Sequence, residues 1–166
     1  MTLYNTPLGQ IINCRLVTPG DRGFLLEVYA ASREIELSMV PWDIAQKRAF
    51  VEHQFDAQTS YYENEYRETR HEVILHSEVP VGRLFVSRGE PQRIAILDIA
   101  VLPEYRNKGI ASHLIRELQN EASETGKSLG IFIEGFNPSQ ALFRKLGFEM
   151  TSDSTLHLHF EWSNPT

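Results

Sequence analysis

Short runs of apolar, mainly β-branched residues recur along the chain and predict strands. The first run is IINCRLV at 11–17, and three more follow one another at 72–78, 81–88 and 93–102. The links between these three runs, VP and GEPQ, are short enough for antiparallel hairpins. The run at 93–102 is apolar on both faces, which indicates a strand that is covered on both sides of a sheet.

Apolar residues at helical spacing separate or follow these runs. Thr18, followed by proline, predicts the start of one helix, and Asp43 predicts the start of a second. A third helix is expected from about residue 107 to Gly126, a residue suited to the left-handed position that ends a helix. A short helix is expected between 137 and 147, where Asn-Pro opens the segment and glycine closes it.

The order of these elements predicts the fold class. A strand at 128–136 and two strands in the tail follow the last two helices in alternation. A strand–helix–strand step beside antiparallel hairpins requires a mixed sheet with helices packed on it. We therefore predict an α/β (α+β) fold: one domain over residues 1–166, with a central, mostly antiparallel sheet of about seven strands and about four helices.

Composition narrows the function classes. The hydrophobic fraction of 42% and the charged fraction of 23% are those of an ordinary globular protein. No apolar stretch is long enough for a membrane span, and the first residues lack the pattern of a secretory signal. The single cysteine, Cys14, cannot form an internal disulfide, which favours a cytoplasmic location. The net charge of −6 argues against a broad nucleic-acid surface.

Residues 106–111 read Arg-Asn-Lys-Gly-Ile-Ala and stand where a buried strand gives way to a helix. The first turn of a helix carries unpaired N–H groups and the positive end of the helix dipole, so an anion binds well there. Gly109 has no Cβ to block the approach, and Arg106 and Lys108 add positive charge. The stretch suits a phosphate, although a capped helix with solvated basic residues would have the same composition.

This pattern, [QR]-x-x-G-x-[GA] after a Pro-Glu-Tyr turn, resembles the acetyl-CoA signature of the GNAT superfamily of N-acetyltransferases. A second segment, IEGFNPSQALFRKLGF at 133–148, is similar to that family's strand, asparagine and A-L-Y-x-K-L-G-F helix. The predicted element order also resembles that of the family. The resemblance implies a GNAT-type fold and transfer of an acetyl group from acetyl-CoA to a primary amine, by direct attack in a ternary complex and without a metal.

The resemblance also implies a set of cofactor contacts. The pyrophosphate would lie on backbone N–H groups of 107–112, the pantetheine arm would pair with 99–101, and the Val101 N–H would stabilise the oxyanion. Asn137 matches an asparagine that touches the cofactor arm, although it is also a good helix cap. The expected cofactor-binding residues are Ile99, Ala100, Val101, Arg106, Asn107, Lys108, Gly109, Ile110, Ala111, Ser112, Asn137 and Phe143.

The amine must lose a proton, so a base is needed. Glu134 resembles the glutamate that serves as base in some relatives, but it could also be structural. Asp98, a carboxylate within an apolar strand, could be a base or a partner that holds the fold. Phe143 stands where the family usually has a tyrosine that protonates the departing thiolate. Catalysis can survive without that donor, or a hydroxyl from Tyr61, Tyr62 or Tyr66 could replace it. Alternatively, the chain catalyses poorly or is a non-catalytic acyl-CoA-binding or sensing module.

The identity of the acceptor amine is the part of the function that the sequence determines least. In the family, segments equivalent to 39–44 and 150–158 wall the acceptor site. Trp42 could form an aromatic and acidic pocket with Glu34 and Glu36, or it could pack at a helix junction. His157 and His159 alternate along a strand, but further ligands are lacking nearby, so no metal is expected. A small-molecule or protein amine remains open as acceptor, and a homodimer is possible, as in relatives.

Overall fold

The computed structural model describes residues 2–5, 11–134, 137, 139–153 and 157–165, with the backbone alone for residues 2–5, 134 and 153. Eight strands are found in this part of the chain: β1 Thr2–Asn5, β2 Ile11–Leu16, β3 Thr69–His76, β4 Val79–Ser87, β5 Arg93–Val101, β6 Ser128–Glu134, β7 Glu149–Asp153 and β8 His157–Trp162. Five α-helices accompany them: α1 Arg22–Ser32, α2 Glu34–Ser38, α3 Ile44–Glu65, α4 Ile110–Thr125 and α5 Gln140–Lys145. Across these ranges, no helix combines the length and the apolar character needed to cross a bilayer.

The strands form one mixed sheet in the order β1-β2-β3-β4-β5-β6-β8-β7. The contact between β5 and β6 is parallel, and the six other described contacts between strands are antiparallel. The predicted α+β class with a mostly antiparallel sheet is confirmed. The sequence analysis missed β1 and α2, because TLYN and EIELS are too short to show a strand or helix period.

Helices cover both faces of the sheet. Ile94 and Ile96 of β5 belong to the main core cluster, which includes the apolar stripe of α4 and Phe143 of α5. Ala95 and Leu97 of the same strand belong to a different cluster, which packs against tyrosines of α3. Because side chains alternate along a strand, α4 and α5 lie on one face, and α3 lies on the other. Leu25, Tyr29, Val51 and Phe55 join α1 to α3 on that second face, called here the α3 face.

The predicted starts and ends of the helices are largely confirmed. Asp43 accepts a hydrogen bond from the Gln46 N–H at 2.8 Å, and the Gln46 side chain accepts one from the Asp43 N–H at 2.9 Å. This reciprocal capping box fixes the start of α3. Gly126 ends α4 with a left-handed φ of 69°. The helix predicted from about residue 107 begins later, at Ile110, because residues 103–109 form a turn and a loop first.

The segment after Thr18 forms a 3-10 turn, Pro19–Asp21, before α1 begins. Asp21 accepts a hydrogen bond from the Thr18 N–H at 2.7 Å and two from the Arg15 guanidinium at 2.8 Å. These bonds, led by those from Arg15, hold the pKa of Asp21 well below its usual range. A partly buried ion pair therefore fixes this helix start to strand β2.

Candidate functional site

The neighbouring strands β5 and β6 diverge part-way along their length. They pair in parallel from Arg93–Ser128 to Ile96–Ile131. Beyond that row, within the described parts of both strands, no further pairing between them is found. The remaining half of β5 therefore has one edge without a strand neighbour, and the opening beside it is called here the β5–β6 notch. Such an edge can accept an extended ligand as an additional strand.

A β-bulge sits on β5 where the notch begins. Phe85 of β4 pairs with Asp98 while Val86 pairs with Ile96, so Leu97 is the extra residue. The bulge turns the side chains of both Leu97 and Asp98 toward the α3 face, and the Tyr62 hydroxyl donates a hydrogen bond to the Leu97 carbonyl at 2.8 Å. Bulges of this kind re-aim side chains next to functional sites. The α3 tyrosine thus holds the strand in the shape that opens the notch.

The backbone beyond the bulge presents alternate amides to the notch. The Leu102 N–H donates to the Val81 carbonyl at 2.8 Å, so this residue and Ala100 turn their backbone groups toward β4. By the same alternation, the N–H groups of Ile99 and Val101 point toward the notch. The Val101 carbonyl accepts a hydrogen bond from Arg106 Nε at 3.0 Å. Arg106 therefore attaches the following loop to the edge of the notch.

The loop after β5 leads to the start of α4 without a side-chain cap. Asn107 and Gly109 have positive φ angles of 61° and 82°, and these two left-handed residues turn the chain into the helix. Among the described residues, no side chain caps this N-terminus, where Gly109 occupies the N-cap position. The His113 N–H donates to the Gly109 carbonyl at 3.1 Å and begins the helical hydrogen bonds. The N–H groups of residues 110–112 therefore have no acceptor within the helix and suit an anion.

The basic residues of the loop differ in what they contact. Arg106 is bound to the Val101 carbonyl, as described above. Lys108 places its ammonium 5.7 Å from the centroid of the Tyr105 ring, and that ring lies 5.9 Å from His76. A cation held over an aromatic ring keeps its charge near the helix start. The loop and the first turn of α4, residues 103–112, are called here the cradle.

Two residues of the α5 region, Asn137 and Phe143, were predicted to contact the cofactor, and they lie in different surroundings. The Asn137 side chain accepts a hydrogen bond from the Ser139 N–H at 2.9 Å in a turn that precedes α5. The N-cap of this helix is Ser139, so the capping role considered for Asn137 is not found. Phe143 is only 1% exposed, and its ring packs edge-on against Phe148 at 5.1 Å within the main core. The cofactor contacts expected of Asn137 and Phe143 stay predictions. A core position and the lack of a hydroxyl leave Phe143 no part in proton transfer.

Glu134, the expected base, ends β6 at the notch. Its backbone pairs with that of His157, and its side chain lies outside the described residues. The catalytic role of Glu134 therefore stays a prediction. Of the tyrosines considered as proton donors, Tyr62 already donates to Leu97, and burial raises its pKa. Tyr61 is 57% exposed and keeps its hydroxyl on the surface of α3.

A buried arginine on β4 was missed by the sequence analysis. Arg83 is fully buried, donates to Asp98 Oδ2 at 2.6 Å through Nε and donates to the Gln58 side chain through Nη2. Its guanidinium also lies 5.2 Å from the Phe55 ring centroid. Asp98 keeps 30% of its side chain exposed. The signal was present, because VGRLFVS places an arginine on the same strand face as Phe85, opposite a strand that contains one aspartate.

The predicted wall of the acceptor site is only partly assembled. Trp42 is 38% exposed, and its ring packs 5.2 Å from Phe50 of α3, which is the packing role considered for it. Glu36 forms an ion pair with Arg33 at 3.1 Å, so this carboxylate already has a cation partner. The contacts of Trp42 and Glu36 therefore favour local packing over an open pocket for a cation.

The surroundings of Cys14 and His159 indicate structural roles for both side chains. Cys14 is buried, and burial raises the pKa of its thiol to about 12, which makes it a poor nucleophile. His159 is buried with Nδ1 2.7 Å from Thr151 Oγ1, and burial lowers its pKa. Within the described ranges, no group of three or more His, Cys, Asp or Glu side chains is placed to hold a metal ion.

Comparison with known proteins decides the family. A model of the acetyltransferase (GNAT) family matches residues 36–148, which include β5, the notch, the cradle and α5. The chain belongs to this family. Acyl transfer is the general chemistry of GNAT acetyltransferases and is assigned to the chain on that basis. No curated protein sequence matches the chain.

Solved structures with the same fold support the assignment. PaiA N-acetyltransferase from Thermoplasma acidophilum, solved in complex with coenzyme A, superposes with a TM-score of 0.68 at 14% identity, covering 90% of this chain and 97% of the other. An acetyltransferase from Thermus thermophilus gives a TM-score of 0.67 at 18% identity, with 91% and 96% covered. The ribosomal-protein-S18-alanine N-acetyltransferase from Escherichia coli gives 0.60 at 14% identity, with 90% and 92% covered. At these identities, the likeness shows the GNAT fold alone.

Proposed function

We propose that the protein is an N-acetyltransferase that transfers an acetyl group from acetyl-CoA to a primary amine within a ternary complex. One observation carries the proposal: the strand edge of the notch is followed, after the segment 102–109, by the uncapped helix start of the cradle. An extended chain with a diphosphate at one end and a thioester at the other matches this sequence of binding groups. Acetyl-CoA has that composition.

The residues of the cradle fit the diphosphate. The N–H groups of residues 110–112 have no acceptor within the helix, and the helix dipole adds positive potential at the same place. Gly109 leaves the approach open and adopts a φ of 82°, which a residue with a Cβ adopts only at a cost. Lys108 contributes a full charge beside them. Arg106, bound to Val101, keeps the cradle in line with the strand edge.

The notch fits the pantetheine arm and the thioester. The amides of Ile99 and Val101 face the opening and provide main-chain hydrogen bonds. Acetyl-CoA supplies an acyl group activated as a thioester. The Val101 N–H, directed at the carbonyl oxygen of that group, would stabilise the negative charge that develops there as the amine attacks. Asn137 would contact the arm from the far side of the notch.

Proton transfer concerns two positions, Glu134 and Phe143. Amines are mostly protonated at neutral pH, so Glu134 at the end of β6 is proposed as the base that accepts the ammonium proton. No acid is proposed at Phe143, which has no proton to give. A thiol has an ordinary pKa of about 8.5, so its unassisted departure costs only roughly 1.4–2 kcal/mol near neutral pH. Transfer is therefore compatible with phenylalanine at this position.

A second function is favoured by the position of Phe143. Phe143 is buried and has no hydroxyl, and the Tyr62 hydroxyl is bonded to the Leu97 carbonyl, so neither side chain supplies a proton to the departing thiolate. A module that binds acyl-CoA without turnover would need the notch and the cradle but no acid or base. Binding alone therefore does not distinguish this module from the enzyme.

Two measurements separate these functions. In a thermal-shift titration, CoA at 100 times its dissociation constant is expected to stabilise the fold by about 2.7 kcal/mol. Release of free thiol from acetyl-CoA is then measured across small amines, amino acids, polyamines and a peptide N-terminus. Binding with amine-dependent thiol release supports the enzyme. Binding without release from any amine supports the acyl-CoA-binding module, and an unchanged melting temperature contradicts both.

The base is tested by Glu134→Gln. We expect the acetylation rate to fall most at low pH, where the amine is almost entirely protonated, while CoA affinity is kept. A pH–rate profile that matches that of the unmodified protein would remove Glu134 from this role.

A further inference from the structure

The notch presents two side chains of different character on its α3 face. Asp98 of β5 is 30% exposed on its side chain, and Phe132 of β6 is 57% exposed. On the assumption that the proposed function is correct, we propose that these two residues bind the acceptor, which is a primary monoamine carrying an apolar or aromatic group. Asp98 receives the ammonium, and Phe132 contacts the apolar group. The proposal deepens the proposed function by naming its substrate class.

The register places both side chains at the same end of the notch. Ile96 and Ile131 form the last paired row between the two strands. Phe132 is the next residue of β6, and because Ile131 and Ile133 are buried in the α4 cluster, Phe132 faces the α3 side. Asp98 faces the same side because of the bulge at Leu97. The two side chains therefore border the opening from opposite strands.

Asp98 has the contacts of a fixed anionic receptor. Arg83 Nε donates to Oδ2 at 2.6 Å and orients the carboxylate from the buried side. Among the described residues, no bond to the other carboxylate oxygen is found, and 30% of the side chain is exposed. Asp98 is also adjacent in sequence to Ile99, whose amide faces the notch. A cation bound by Asp98 therefore lies beside the notch, three residues along β5 from the Val101 amide that is proposed for the thioester.

The charge balance of the surrounding strands favours one cation over several. On β5, β6 and β8, the described carboxylate side chains are those of Asp98 and Glu161. Both are paired with an arginine, but they differ in position: Asp98, with Arg83 at 2.6 Å, borders the notch. Glu161, with Arg93 at 2.9 Å and Ser128 at 2.8 Å, lies at the other end of the paired segment. A polyamine carries more than one positive charge. Beyond Asp98 and Glu161, the described parts of these strands offer no carboxylate to bind the additional charges. Glu134, with its side chain outside the described residues, is already assigned to the proton.

Phe132 supplies the apolar contact. Its ring lies 4.6 Å from His159, which supports it from β8. His159 is itself fixed by Thr151 at 2.7 Å, and burial keeps its pKa low, so it does not add a cation beside the incoming amine. An exposed aromatic ring, supported on one side and beside a carboxylate, suits an apolar amine.

The substrate class is tested by the kinetics of the unmodified protein with acetyl-CoA. Ethylamine, 2-phenylethylamine and spermidine are compared by thiol release and by calorimetric binding to the CoA-loaded protein. We expect kcat/KM for 2-phenylethylamine to exceed that for spermidine by about tenfold or more, because apolar contact gives discrimination of this size. Higher kcat/KM or tighter binding for spermidine, or for a peptide N-terminus, overturns the proposal.

Phe132→Ala isolates the apolar contact. We expect kcat/KM for 2-phenylethylamine to fall about tenfold, while that for ethylamine changes by less than about threefold. Leu16→Ala is the matched control, since Leu16 is 54% exposed on β2, three strands away from β5 in the sheet. Equal losses for both amines in Phe132→Ala overturn the contact.

The double variant Arg83→Gln/Asp98→Asn isolates the carboxylate without leaving a buried charge unpaired. We expect KM for the amine to rise about tenfold or more and the affinity for CoA to change less than about twofold, because an amide binds ammonium more weakly than a carboxylate does. Arg22→Gln/Asp56→Asn removes an exposed ion pair between α1 and α3 and serves as the control. An unchanged KM shows that Asp98 only holds Arg83 and overturns the ammonium site.

The outcomes also distinguish failure of the proposed enzyme from failure of the proposed acceptor site. If CoA binds but no amine releases thiol, the proposed enzyme fails, and this inference fails with it. If amines are acetylated but the preference runs toward polyamines, only the inference about the acceptor fails.

Discussion

Two helices of this protein begin in opposite ways. At the start of α3, Asp43 and Gln46 bond each other's backbone N–H groups at 2.8 and 2.9 Å, so the protein's own side chains occupy the helix end. At the start of α4, Gly109 stands at the N-cap, and among the described residues no side chain bonds the first amides. The first helix end is completed by its own sequence, and the second has free amides that we propose bind an anion. The difference is the one expected between a structural helix start and a binding site.

The largest expected effect comes from Gly109→Ala. A methyl group at a φ of 82° disfavours the left-handed turn, so the amides of the cradle lose their alignment. Loss of about two charge-assisted hydrogen bonds would weaken CoA binding roughly 100-fold, or about 2.7 kcal/mol. The measurement is the dissociation constant of CoA by calorimetry.

Gly126→Ala is the matched control, since Gly126 ends the same helix with a φ of 69° and open space around its Cβ position. Both variants impose the same kind of backbone strain, about 1–2 kcal/mol. Only Gly109→Ala should lose CoA affinity. Equal losses in the two variants would mean that helix stability, and not the cradle, controls binding.

An effect of intermediate size concerns the start of α1, which is fixed by an ion pair. Arg15 lowers the pKa of Asp21, so the charged form is stabilised in the folded state. This stability is complete above the ordinary aspartate pKa of about 3.9 and is lost as the pH falls below it. We expect Asp21→Asn to cost about 1.5–3 kcal/mol at pH 7 and much less near pH 2.

Urea unfolding of both proteins at several pH values provides the measurement. The two stability curves should converge on acidification, while CoA affinity at pH 7 stays unchanged. A constant difference from pH 7 to pH 2 would show that the variant acts through packing and not through the charge of Asp21.

The smallest effect is expected for the capped helix. Asp43→Ala removes the side-chain acceptor at the start of α3 and should destabilise the fold by about 1 kcal/mol. CoA affinity should not change, because this helix end takes no ligand. Thermal unfolding and calorimetry on the same samples test both statements, and weaker CoA binding in Asp43→Ala would contradict the division between the two helix starts.

Local chemistry explains what could be predicted from the sequence. The cap at Asp43, the glycine that ends α4 and the cradle at 103–112 each depend on residues a few positions apart. Their structures follow from capping and backbone rules that act within one turn. The apolar run of β5 predicted a strand covered on both sides. This prediction is also local, because successive side chains of a strand point to opposite faces and both faces are apolar here.

Long-range register explains what could not be predicted. The bulge at Leu97 depends on how β5 aligns with β4, and the Arg83–Asp98 pair exists only in that alignment. Divergence of β5 from β6 is likewise a property of two strands packed in the sheet, not of either segment. The burial of Phe143 against Phe148 required the position of α5 in the core. The cradle was therefore predictable, and the α3 face of the notch was not.

We propose that main-chain amides at the end of β5 and the start of α4 bind coenzyme A. The most direct measurement is an NMR titration of the isotopically labelled protein with CoA, followed at backbone amides. We predict that the largest shifts fall on Ile110, Ala111 and Ser112, with further shifts at Ile99 and Val101, and that the amides of residues 44–46 do not move. Saturable binding with the largest shifts elsewhere and unperturbed amides at 110–112 would contradict the account.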